Sequence, residues 1–445
     1  DLETSLPLLY PLRYHIDHLA FRSLSTQSAS LQSVKFFYEF WRQKYGVSFC
    51  YSFYSSDHNP DIAVGEMPAF WMYLENGHNV QSNVLSLTRV TKANSLTHTV
   101  RVRAVIHFIS FLINTYISPA YRDDSPKALS LLASRLHTRL QLCRENYRTL
   151  TSNKFSQHSH SSQGFQSLSG AMVLSLYGII TPSSAQKHNP LNPFPSAHLQ
   201  FRNFLIIRLL LNYGLRTGEL LLLECSSIKP NLKGDKFSLI VTTVDEAYEP
   251  RKNAPSLKNA WANRVLELDK QDYIFLSIYI AKLRPKTDKH DFIFTSSQQS
   301  AKPLSYTSVH SIFSKIDQVF TNQYPEYKSP LYSDSLQRLT PHTTRHTWAF
   351  LTLQKIWHLK YLKSQQNKTH FIAEVPSLSG IMEEAKDELR LMGGWSPTSQ
   401  MPDLYAKRFL SEQANAANVQ RIIQDNAALH NTLDTIMDRY NDDII

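Results

Sequence analysis

The run from Thr151 to Gly164, TSNKFSQHSHSSQG, holds little that can pack, and it interrupts a chain otherwise patterned with apolar residues. A stretch this rich in Ser, Gln and His reads as a linker. Apolar patterning resumes beyond it, so the chain must close a separate core on either side. At 445 residues, two or three domains are expected in any case. The resulting division is 1–27, 28–150, the linker 151–164, 165–410 and 411–445. Residues 1–27 mix short apolar clusters such as Tyr10-Pro11-Leu12-Arg13-Tyr14 with polar residues and keep no clean period. They read as an arm or as a cap on the next domain.

Before the linker the pattern is helical. Leu31, Val34, Tyr38 and Trp41 recur at three and four residues with Lys35, Arg42 and Lys44 between them, which makes an amphipathic helix. A second helical block covers about Ser95 to Tyr116 and a third covers Pro126 to Tyr147. The third sets Arg135 and Arg139 one turn apart, and Arg144 and Arg148 repeat the interval. Such pairs suit a row of phosphates, while the plain alternative for each arginine is a solvated surface.

After the linker, Ala171 to Tyr177 begins a helix, and the proline-rich Asn189 to Pro195 is a loop that no helix crosses. Phe201 to Tyr213 is a strongly apolar helix stopped by Gly214. Gly218 to Cys225 reads as a further helix that buries four consecutive leucines. Phe237 to Thr243 and Arg264 to Leu268 read as short strands of a small antiparallel sheet. The fold class is therefore mainly α with a small antiparallel β-sheet. Beyond residue 410, Val419, Ile422, Leu429, Leu433, Ile436 and Tyr440 form a helical stripe that needs a groove, in its own chain or in a neighbour's.

A formal charge of +10 and a pI near 9.3 point to a polyanionic partner. The apolar share of 42% excludes disorder throughout. Cys50, Cys143 and Cys225 are widely spaced and lack CxxC pairing, so neither a disulfide framework nor a zinc site is expected, and the setting should be reducing. His158 and His160 are the densest histidine pair and lie in the linker, without the spacing of metal ligands. No secretory signal is visible at Asp1-Leu2-Glu3-Thr4-Ser5. Runs such as Val105 to Ile117 fall short of the roughly 20 apolar residues that cross a bilayer. The expectation is a soluble chain without membrane partners.

Three motifs carry the chemistry. They are Tyr213-Gly214-Leu215-Arg216-Thr217-Gly218-Glu219-Leu220, Pro341-His342-Thr343-Thr344-Arg345-His346, and Gly394-Trp395-Ser396-Pro397 followed by Asp403-Leu404-Tyr405. Guanidinium forks match the non-bridging oxygens of a phosphate and stay charged at any working pH. A tyrosine placed after them suits nucleophilic attack on a phosphodiester. His342 and Arg345 stand three residues apart, so on a helix both reach one side.

In order and separation these motifs resemble the tyrosine recombinase (phage-type integrase) family, strongly over 163–410 and weakly over 28–150. The resemblance implies a helical core DNA-binding domain at 28–150 and an α+β catalytic domain at 165–410, closing as a C-shaped clamp on DNA. It implies a site-specific recombinase that cleaves and rejoins strands through a 3′-phosphotyrosyl intermediate and a Holliday junction, for integration or excision of a mobile element. Arg216 and Arg345 would hold the scissile phosphate, and His342 would bond it and accept the tyrosine proton. Trp395 would position, and Tyr405 would attack. Lys258, in Leu257-Lys258-Asn259, would protonate the leaving 5′-oxygen, with Lys252 as its substitute if the hairpin is longer.

His346, next to Arg345, is expected to turn away from the His342 face, and Lys407 and Arg408 to favour ionised Tyr405. The plain alternatives are a satisfied core histidine at 342, a core tryptophan at 395 and nonspecific phosphate contact at Lys258. The polar stretch Lys360 to Ser377 looks inserted, and Trp395 and Tyr405 stand one residue further apart than is usual in the family.

No metal or cofactor is implied, because a phosphotyrosyl ester keeps the energy of the cleaved bond. The expected partners are double-stranded DNA with specific recombination sites and three further copies of the chain, in a tetramer on two sites. The expected location is cytoplasmic, at the nucleoid. Two other readings stay open: a type IB topoisomerase-like relaxase, and a catalytically silent DNA-binding protein of the same fold.

Overall fold

The computed structural model describes residues 6–75, 92–121, 124–156, 165–183, 188–243, 249–297, 300–329, 331–332, 334–367 and 378–428. The chain divides into two compact units, Asp1–His160 and Ser161–Ile445.

The first unit is helical throughout its described residues. Its helices are α1 (Leu9–Tyr14), α2 (Leu24–Tyr45), α3 (Phe49–Ser55), α4 (Asp61–Gly65), α5 (Met67–Glu75), α6 (Lys92–Ala120) and α7 (Pro126–Ser156). Helix α2 starts where the Ser23 side chain caps the Thr26 N–H and stops at Gly46, whose φ of 73° ends the helix in the left-handed region. Val34, Tyr38 and Trp41 of the predicted stripe are buried, and Leu31 packs beside them. The core is built largely of aromatic rings, with Tyr10 edge-on to Phe53 at 4.9 Å. Residues 9–19 therefore belong to the packed body, since Tyr10, Tyr14 and Leu19 lie inside it.

Two expectations change here. Thr97–Ala120 in α6 is long and apolar enough to cross a bilayer by length and composition, despite His107 and Asn114. Its Val105, Phe108, Ile109, Leu112 and Ile113 are instead fully buried in the aromatic core, the pattern of a core helix in a folded unit. Residues 151–156 of the predicted linker continue α7, because no Gly or Pro stops a helix begun at Pro126; residues 157–164 lie outside the described residues. Of the predicted basic pairs, Arg139 forms an ion pair with Asp61 of α4, and Arg135 and Arg144 are exposed.

In the second unit α8 (Gly170–Ile180), α9 (Ala197–Asn212) and α10 (Thr217–Leu221) precede strands β1 (Ile228–Pro230), β2 (Phe237–Val241) and β3 (Arg264–Leu268). The sheet is antiparallel in the order β1-β2-β3, with Leu239 opposite Leu266. Helices α11 (Lys270–Ile278), α12 (Tyr306–Gln323), α13 (Pro341–Asn367), α14 (Leu378–Met392) and α15 (Met401–Ala428) follow.

Helix α10 is shorter than predicted. Leu220 to Leu223 are all buried, but a helix with four consecutive apolar residues would turn some of them to water. The chain leaves the helix and pairs as a strand would, with the Ile293 N–H donating to the Leu223 carbonyl. One apolar cluster joins α8, α9, α12 and the sheet; another joins α13, α14 and α15. Helix α13 runs on through 360–367 of the predicted insertion, and Lys360 pairs with Glu384 and Glu388 of α14. Residues 368–377 lie outside the described residues.

Candidate active site

Arg216 and Glu219 sit at the start of α10, directly after the turn that ends α9. The Arg216 backbone N–H donates to Glu219 Oε2 at 2.9 Å, and its guanidinium pairs with the other carboxylate oxygen. Arg264 of β3 reaches the same carboxylate at 2.9 Å, and Arg345 of α13 stands 3.9 Å from it. A carboxylate that is 1% exposed thus sits among three guanidinium groups. Burial alone pushes the Glu219 pKa up, but the charges of Arg264, Arg345 and Arg216 outweigh it and hold the group below the usual carboxylate range.

Arg345 is buried. Its two terminal nitrogens donate to the carbonyls of Gly214 and Gly393, and Arg216 donates to the Gly394 carbonyl at 3.1 Å. Gly214 and Gly394 both have φ of +59°, and a Cβ on Gly214 would lie 2.0 Å from the Trp348 ring. The left-handed turn and the close ring both require glycine there. Burial and the neighbouring Arg216 push Arg345 down to about 9, which leaves it charged at neutral pH.

Thr340 caps α13 by accepting from the Thr343 N–H at 3.1 Å, and the first turns of that helix carry His342, Arg345 and His346. The expectation that His346 turns away is wrong. Residues four apart share a helix face as residues three apart do, and the two histidine rings lie 4.3 Å apart. His346 Nδ1 stands 2.9 Å from the Tyr405 hydroxyl. Phe165 stacks on the His346 ring at 5.3 Å and meets Tyr405 edge-on at 4.9 Å.

Tyr405, on the second turn of α15, is 1% exposed. Burial pushes its pKa up to about 12, against the opposing pull of Arg345 and Arg216. Those two arginines, and neither Lys407 nor Arg408, supply the charge that favours the ionised form. Lys407 is exposed, while Arg408 bonds Ser167 and Glu412 and lies over the Phe165 and Phe350 rings. Burial pushes His346 down to about 4, with His342 and Arg345 adding to the effect. Burial also lowers His342, aided by Arg345, Lys258 and Arg216.

Trp395 belongs to the apolar cluster and also lies under the Arg345 guanidinium, 4.5 Å from ring centre to carbon, so it packs and positions at once. Lys258 is exposed, in the segment between β2 and β3 just before a short turn of helix at Ala260–Ala262. A cavity of about 730 Å³ is lined by Arg216, Lys258, His342, Arg345, Trp395 and Tyr405 together; Lys252 is not among its lining residues. All six residues singled out in the sequence are thus brought to one cleft. Glu219 was missed as a functional side chain although it stands in the Arg216 motif, and its place one turn after the arginine was the available signal.

A buried arginine, a half-buried one, a histidine and a tyrosine thus surround one cleft, in a mainly helical unit with a small antiparallel sheet. Residues 186–367 match the model of the Phage integrase family. No curated protein matches the chain.

Among solved structures it is similar to the Tn1549 transposon integrase in complex with a circular intermediate DNA, at 13% identity and a TM-score of 0.37, covering 86% of this chain and 99% of that one. It is also similar to XerA recombinase, at 14% identity and a TM-score of 0.33, covering 92% and 97%. XerH bound to its difH substrate matches at 12% identity and a TM-score of 0.34, covering 77% and 93%.

Proposed function

We propose that the chain is a site-specific DNA recombinase that cuts and rejoins strands through a covalent bond to Tyr405. One observation carries this reading: Arg216, Lys258, His342, Arg345, Trp395 and Tyr405 line a single cavity. A phosphodiester resists attack because its charge repels nucleophiles and its alkoxide leaves poorly. Arg216 and Arg345 neutralise the non-bridging oxygens, His342 adds a hydrogen bond, and Lys258 supplies the leaving oxygen with a proton. Trp395 holds Arg345 in place. The released 5′-hydroxyl can later attack the phosphotyrosyl ester, so religation needs no outside energy.

The partner under this reading is double-stranded DNA, matched by the formal charge of +10. The helical unit at 28–150 and the catalytic unit at 165–410 both bind the duplex. Recombination joins two sites, so four copies act together, with 411–445 as the segment that docks between them. Val419, Ile422 and Ile423 of α15 are exposed, which leaves their apolar stripe open to a neighbour. Integration or excision of a mobile element is the task, inside the cell at the nucleoid.

The test is incubation with nicked suicide duplexes carrying candidate sites, comparing wild type with Tyr405→Phe. A covalent protein–DNA adduct from wild type alone supports the reading. Relaxation of any plasmid without site preference would replace it with a topoisomerase.

A further inference from the structure

A phenol attacks phosphorus only as its proton leaves, so something must take that proton as the bond forms. The acceptor has to be neutral and within hydrogen-bond reach of the oxygen. His342 is poorly placed for this, since it lines the cavity among Arg216, Arg345 and Lys258, where the phosphate would sit. His346 does not line the cavity. It stands behind the nucleophile, with Nδ1 2.9 Å from the Tyr405 hydroxyl and its ring fixed by the stacked Phe165.

We propose that His346 takes the phenolic proton of Tyr405 during strand cleavage and returns it on religation, while His342 is left to hold the phosphate. This rests on the recombinase reading above. In the forward step the Tyr405 O–H bond breaks and its proton passes to His346 Nδ1. The Tyr405 oxygen bonds to phosphorus, the bond from phosphorus to the 5′-oxygen breaks, and Lys258 gives that oxygen a proton. Religation reverses each transfer, and no co-reactant is consumed.

The charged and titratable groups around His346 are His342 and Arg345 on its own helix, Tyr405 on α15, and Arg408 of α15 on the Phe165 ring. Burial and the cations keep the free imidazole neutral, and burial keeps the proton on the Tyr405 oxygen. A phosphodiester entering the cleft brings a negative charge that favours imidazolium. Proton transfer is thereby withheld until a strand is bound, which protects the nucleophile in the free protein.

The test uses the full chain and a pool of nicked suicide duplexes with a randomised core, from which wild type captures its substrate as a covalent adduct. Single-turnover cleavage of that substrate is then followed against pH. His346→Ala is expected to slow cleavage about 100-fold near pH 7, and His346→Gln, which keeps a hydrogen-bond acceptor, to do no better. In both variants the rate should climb about tenfold per pH unit as tyrosinate forms unaided, where wild type stays flat.

Wild-type rates in His346→Gln would overturn the proposal and leave the recombinase reading intact. If wild type forms no adduct with any duplex, that reading fails and takes the proposal with it. Because a His346 variant can misfold, ¹⁵N-histidine NMR of wild type against Tyr405→Phe gives a second measurement. An unprotonated Nδ1 signal that moves when the hydroxyl is removed supports the proposal, and a protonated Nδ1 overturns it.

Discussion

Arg264 of strand β3 donates to Glu219 of helix α10 across 2.9 Å, so a residue of the sheet holds the carboxylate that holds Arg216. The ion pair ties the sheet to the first arginine of the cleft. Removing the carboxylate leaves buried guanidinium groups facing one another without a counter-charge. Glu219→Ala should therefore destabilise the second unit by about 3 kcal/mol or more, read as a lower urea midpoint, and should abolish adduct formation. A Glu219→Gln variant that keeps wild-type stability and cleavage would sink the claim.

Tyr405→Phe separates chemistry from folding. The ring stays in its cluster and only the bond to His346 is lost, a change worth about 1 kcal/mol. Covalent adduct should vanish while thermal unfolding shifts by only a few degrees. A variant that still forms an adduct would move the nucleophile elsewhere.

Lys258 lines the cleft and Lys252 does not, which gives them different expected phenotypes. Lys258→Ala should slow cleavage of an ordinary duplex about 100-fold or more. A substrate with sulfur in place of the bridging 5′-oxygen leaves without needing a proton, so it should restore the rate. Lys252→Ala should cleave both substrates as wild type does, and the opposite pattern would exchange the two roles.

Gly214 ends α9 with φ at +59°, with the Trp348 ring against it. Gly214→Ala forces a side chain into that ring and into an unfavourable backbone region, at about 1–3 kcal/mol for the backbone alone. Chemical denaturation should give a lower midpoint, together with weakened cleavage because the Arg345 acceptor moves.

The half-buried His346 contributes to the acid side of stability. His346 titrates near 4 when folded against 6.5 in an open chain, so between those values the unfolded chain binds more protons. Stability then rises with pH across that window, is fully present above about 6.5 and is lost as pH falls through 4. The urea midpoint of wild type should climb from pH 4 to 6.5, and His346→Gln should climb less; equal slopes would contradict the burial of a neutral ring.

Much of this was readable from the sequence because residue type and spacing carried it. Stripes such as Val34, Tyr38 and Trp41 announced their helix, and β-branched and apolar content announced β2 and β3, which pair as an antiparallel sheet. The six residues chosen for phosphodiester chemistry meet at one cavity. What escaped depended on three-dimensional neighbours. His346 was set aside by its adjacency to Arg345, although its four-residue step from His342 puts both rings on one face. Arg408 was assigned to Tyr405 by proximity in sequence, yet aromatic rings and Ser167 claim it. The early end of α10 goes with the backbone hydrogen bond from Ile293 to Leu223, 70 residues apart in sequence, which no local pattern reveals.

Arg345 gives its terminal hydrogen bonds to the main-chain oxygens of Gly214 and Gly393. Such acceptors cannot be swapped by a codon change at their own positions, since every residue carries the same carbonyl. Only a rerouted chain can take them away. The heritable part of that anchorage is thus the lack of a side chain at two turns, and drift elsewhere in the domain leaves the deepest cation of the cleft tethered as before.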